Sequence, residues 1–100
     1  MTSVAPLSYR LFVGIDVAAK SFTASWTQDR RDYARSVKFD YSASGISQLQ
    51  ASLQATSVLP AETLIVLEAT GSYWITLAAS LHSAGFVVSV VNPAQVHSWA

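Results

Sequence analysis

Of the 6 acidic residues in this 100-residue chain, Asp16 and Glu68 stand apart by their surroundings. Asp29, Asp32, Asp40 and Glu62 fall in polar turns or at outward positions of alternating segments, where solvation accounts for them. Asp16 instead follows Leu11-Phe12-Val13-Gly14-Ile15, and Glu68 ends Thr63-Leu64-Ile65-Val66-Leu67. Both runs are apolar enough to be central strands. An ionised carboxylate buried without a partner is very costly, so such an acid must be hydrogen-bonded, paired, metal-bound or placed at a cleft. Open α/β sheets bind ligands just outside the carboxyl ends of their strands, where both acids would lie. If the two strands are parallel neighbours, the carboxylates come within several ångströms of each other and repel. A hard divalent cation with oxygen ligands is the simplest remedy. The same pattern also fits Asp16 closing a turn and Glu68 facing backbone amides at a helix start.

Other residue types offer less. His82 and His97 have no second ligand at metal-site spacing and read as surface residues. Trp26, Trp74 and Trp99 read as core or interface, and Gly14, Gly45, Gly71 and Gly85 are too isolated for a phosphate-binding loop. The absence of cysteine excludes disulfides and thiolate metal sites. Net charge is zero, so no overall basic field announces a polyanionic partner. Arg30, Arg31, Arg35 and Lys38 nevertheless cluster, as either a solvated hairpin edge or a nucleic-acid contact surface. No apolar run is long enough for a membrane span, and a cytoplasmic, membrane-free protein is expected.

The elements that must position the acids follow from periodicity. Residues 1–8 show no period and read as a loose lead-in. Residues 11–17 form a strand expected to be covered on both faces, and residues 22–26 and 37–41 alternate as half-buried strands. Ser44 can cap a helix in which Ile46, Leu49 and Leu53 recur at helical spacing. Pro60 interrupts, and residues 63–68 form a buried strand. Thr70 or Ser72 can cap a second helix with a stripe of Trp74, Leu77, Leu81 and Ala84, ended by Gly85. Residues 86–91 make a fifth strand, and residues 96–100 look like the start of another helix. The order β-β-β-α-β-α-β predicts an α/β fold with a mixed sheet, antiparallel in its first half and parallel in its second. With 51% hydrophobic and 12% charged residues, some apolar surface is expected to be covered by something else, a second copy being the simplest cover.

Several of these residues also match a known pattern. Phe12-Val13-Gly14-Ile15-Asp16-Val17-Ala18 resembles the opening strand of DEDD-type insertion-sequence transposases, whose catalytic domain is similar to the Holliday-junction resolvase RuvC. Leu67-Glu68-Ala69-Thr70-Gly71-Ser72-Tyr73-Trp74 resembles the second acidic motif of that family. Gly85-Phe86, Val90-Val91-Asn92-Pro93, Gln95-Val96 and Trp99-Ala100 resemble its later glycine, Val-Asn-Pro, Gln-Val and aromatic-Ala positions. The resemblance implies a ribonuclease-H-like fold, cut before its later helices, and a four-carboxylate site holding magnesium or manganese for phosphodiester chemistry on DNA. Asp16 matches the first acid and Glu68 the second. Asp16 would bridge a metal pair about 4 Å apart and Glu68 would bind one ion. The last two acids, and a nucleophilic serine in a further domain, would lie beyond residue 100, so this chain alone is expected to be inactive. Lys20, Arg30, Arg31, Thr70 and Asn92 are the candidate nucleic-acid contacts, and a structured guide RNA is a further expected partner.

Two other readings share the pattern. Actin-like and sugar-kinase ATPases open with a similar strand, but want glycine two residues after the aspartate, where this chain has Ala18. A non-catalytic oligomerisation module of the same fold would also fit these residues.

Overall fold

A computed structural model describes residues 9–28, 36–68 and 71–91. Three strands come first, β1 (Leu11–Val17), β2 (Ser21–Thr27) and β3 (Val37–Asp40). Helix α1 (Ala43–Gln54) and a short 3-10 turn, Pro60–Glu62, lead into β4 (Thr63–Glu68), followed by α2 (Trp74–Ser83) and β5 (Val87–Val91). The strands form a five-stranded sheet in the order β3-β2-β1-β4-β5. β1 pairs antiparallel with β2, and β2 with β3, whereas β1–β4 and β4–β5 are parallel. The element order and the mixed sheet are those expected, with β1 at the centre.

Two-residue alternation decides which side of each strand is buried. Leu11, Val13, Ile15 and Val17 turn inward from β1, with Phe22 and Ala24 from β2, Phe39 from β3 and Ile65 and Leu67 from β4. Ile46, Leu49 and Leu53 of α1, and Leu77 and Leu81 of α2, close over the same face to form one core. Burying each of these leucines contributes about 1.5–3 kcal/mol. On the opposite face no described helix packs, so the expected second cover is not found among the described residues, although Thr27 is buried there. At the carboxyl ends of the parallel strands, the described residues leave Asp16, Val66, Glu68 and Ser89 exposed on this face.

The helix ends also differ from expectation. Ser42 rather than Ser44 caps α1, its hydroxyl accepting from the Gly45 amide at 3.1 Å. Tyr73 occupies the N-cap of α2 without a side-chain cap bond, so Ser72 does not act there, and Thr70 lies outside the described residues. Gly85 ends α2 at φ 97°, as predicted, but Ala84 is exposed and the buried stripe stops at Leu81.

The first turn of α1 lies against the end of β3, and Gly45 permits that approach. A Cβ at Gly45 would sit 1.8 Å from the Asp40 carbonyl oxygen, a backbone atom that cannot swing aside. Gly45→Ala is therefore expected to destabilise the fold by about 3 kcal/mol or more, at the upper end for overpacked sites. Ser42→Ala should cost about 1 kcal/mol and Ser44→Ala almost nothing. Urea unfolding of the three variants tests this, and equal losses for Ser42→Ala and Ser44→Ala would refute the cap assignment.

Candidate active site

The β1–β4 pairing runs in register from Leu11 opposite Thr63 to Ile15 opposite Leu67. Asp16 and Glu68 are the next residue on each strand, so they stand side by side with backbones about 4.8 Å apart. Because Ile15 and Leu67 point into the core, both acids point out of the opposite face. Both are exposed, so their proximity rather than any burial of charge marks the site.

Asp16 is the Cα partner of Thr23 on β2, and Glu68 that of Val91 on β5. One step toward the amino end of β1, Gly14 lies between Ser25 on β2 and Val66 on β4. These residues, with Ser36, line an open trough of about 500 Å³ that contains both acids. Its floor is low, since a Cβ added at Gly14 would meet nothing within 4 Å among the described residues. Glycine inside a strand weakens it and commonly marks where a ligand or another backbone approaches closely.

One residue ties down the segments after both acids. The turn following Asp16 is closed by the Ala18 amide donating to the Ser21 carbonyl at 2.8 Å, and the adjacent Lys20 carbonyl accepts from the Tyr41 amide at 3.0 Å. The Tyr41 hydroxyl reaches the start of α2, donating to the Tyr73 carbonyl and accepting from the Leu77 amide at 3.1 Å. Its ring stands edge-on to Phe22, with centroids 6.0 Å apart. The segment after Glu68 turns at Gly71, φ 60°, whose carbonyl accepts from the Trp74 indole at 3.1 Å.

The model of the transposase family of the IS110 DEDD type matches residues 13–100. The chain belongs to this transposase family. Pilin gene-inverting proteins of Moraxella bovis and Moraxella lacunata are each 30% identical to it over 91 residues. The match covers 91% of this chain and 28% of each relative, so the chain spans little more than a quarter of their length. Among solved structures it is similar to a Ppx/GppA phosphatase of Aquifex aeolicus, at 12% identity and a TM-score of 0.47, over 83% of this chain and 36% of that one.

The family match includes both acids, and the fold places them together. Lys20 lies exposed in the turn at the same end of the sheet, while Arg30, Arg31, Thr70 and Asn92 lie outside the described residues. Among the described residues no group of three or more histidines, cysteines or acids could hold a metal, so the site rests on the pair alone. His82 is exposed on α2, whereas Trp26 and Trp74 pack against the core. No described helix is long and apolar enough to cross a membrane. Tyr41 was read from the sequence only as a strand end, and its link to α2 spans 36 residues with no local signature. Tyr41→Phe should cost about 1–2 kcal/mol, because it removes the hydroxyl that donates to the Tyr73 carbonyl and accepts from the Leu77 amide. Hydrogen exchange at Leu77 should quicken more than at Leu49, and equal changes at both would refute the link.

Proposed function

We propose that this chain forms the first part of a ribonuclease-H-like, RuvC-like catalytic domain in a DNA recombinase, with Asp16 and Glu68 as two carboxylates of a metal-dependent phosphodiester site. The observation that carries this reading is the parallel β1–β4 pairing, which sets the two acids side by side on an open face. Membership of a transposase family supports the reaction class, and the mixed sheet supports the fold.

The donors fit magnesium or manganese. They are oxygen-only, anionic and solvent-accessible, and magnesium is commonly held by one or two carboxylates with its remaining positions filled by water and phosphate. When bound, such an ion polarises the phosphoryl oxygen and stabilises charge on the attacking and leaving oxygens. Asp16 is the more rigid ligand, since its strand continues to Val17 and stays paired with β2 on either side of it, whereas Glu68 ends its strand. Glu68, at the last position of β4, has a longer side chain and is exposed. Thr23 and Ser25 present hydroxyls from the trough floor that can donate to phosphate oxygens. The remaining acids, the nucleophilic serine and a guide RNA belong to the rest of the protein in this reading.

We propose that self-association uses the apolar patch beside Val88 and Val90, in the groove they line with Trp74, Ile75 and Ala78, while Trp99, expected beside it, lies outside the described residues. Light scattering over a concentration series checks it, and a monomer throughout would refute it.

The decisive measurement is DNA strand cleavage by the full-length protein with and without magnesium. Asp16→Asn and Glu68→Gln should each lower it by at least about 100-fold, since even the partners of metal ligands are worth 10–100-fold. Either variant cleaving at the wild-type rate would remove that acid from the site. Metal affinity of the chain alone should be millimolar at best and lost in Asp16→Asn, because two carboxylates are fewer ligands than a tight site uses.

A further inference from the structure

We propose that Lys38 is a phosphate-binding residue of the same face, taking the DNA phosphate beside the one held at Asp16 and Glu68. This rests on the reading of those acids just given. Lys38 is the Cα partner of Thr23 in the β2–β3 ladder, and Thr23 is the partner of Asp16 in the β1–β2 ladder. Lys38, Thr23, Asp16 and Glu68 thus stand in one row across four strands, all on the face away from the helices. Lys38 and Asp16 are separated by two strand spacings, about 10 Å.

The outward direction of Lys38 is enforced by its neighbour. Phe39 is buried and stacks on Phe22 with centroids 5.3 Å apart, so the residue before it must face the other way. Lys38 is exposed. Among the described residues no carboxylate lies within ion-pair distance of its ammonium, not even Asp40 two positions along the same strand, whereas Arg10 does pair with Glu62 at 3.6 Å. Among the described residues, nothing therefore competes with a ligand for this cation.

What lies between lysine and acids suits a sugar-phosphate backbone. Thr23, Ser25 and Ser36 are small and hydroxyl-bearing, and Gly14 leaves the floor low. Two adjacent carboxylates repel a polyanion. A lysine about 10 Å along the row supplies attraction at a point where it does not compete for the cation bound by the acids. Lysine acts as a flexible point charge toward phosphate, and such contacts fix the register of the nucleic acid without reading its sequence.

The test is binding of fluorescein-labelled duplex DNA to the full-length protein in EDTA across a range of salt concentrations. Lys38→Gln should reduce the slope of log affinity against log salt by about 0.9, the value for one lost phosphate contact, and Lys38→Arg should restore it. Arg10→Gln, at the opposite end of the sheet, should leave the slope unchanged. An unchanged slope in Lys38→Gln would overturn the proposal, even with metal-dependent cleavage still lost in Asp16→Asn. A reduced slope together with normal cleavage by Asp16→Asn and Glu68→Gln would keep the lysine contact and overturn the reading of the acids.

Discussion

The parallel pairing of β1 with β4 is the constraint on which the remainder depends. It joins two segments about fifty residues apart, and its register is set by burial rather than by the acids. Ile65 and Leu67 are fully buried against the helices, which obliges Val66 and Glu68 to face the other way. A slip of one residue would expose both apolar side chains and drive the Glu68 carboxylate into the core, where an unpaired charge is very costly. The hydrophobic face therefore enforces the geometry of the polar one. Proximity of two like charges, which costs energy in water, is maintained by packing on the far side of the sheet.

A second connection holds the ends of those strands. Tyr41 binds the turn after β1 through its backbone amide and the first turn of α2 through its hydroxyl. The acids thus belong to a single structural unit, since the segment leaving each one meets the same residue. Its ring rests on Phe22, which in turn stacks on Phe39, so this junction is anchored in the core.

Much of this was legible in the sequence where the signal is local. The strands appear as two-residue alternation, and Asp16 and Glu68 appear as acids closing apolar runs. What depends on register across strands was not legible. Nothing near Lys38 in the chain says that it shares a row with Asp16, because that fact passes through Thr23 and two ladders. Ser42 and Ser44 are equally good capping residues, and the choice falls to Ser42 because the chain turns directly from β3 into α1. The apolar outward positions Phe12, Leu64 and Val66 suggested a sheet covered twice, whereas the described residues cover the acid-bearing end on one side.

Among the described residues, the sheet divides its side chains into two populations with little overlap. Those that hold the chain together look toward α1 and α2, while Gly14, Asp16, Thr23, Ser25, Lys38 and Glu68 look away from them. Any selection that reports only solubility or protease resistance is blind to the second population. Substitutions could accumulate there without a signal, and a library chosen for expression would drift in function first. Conversely, that face can be rewritten for another chemistry while the scaffold beneath it stays intact.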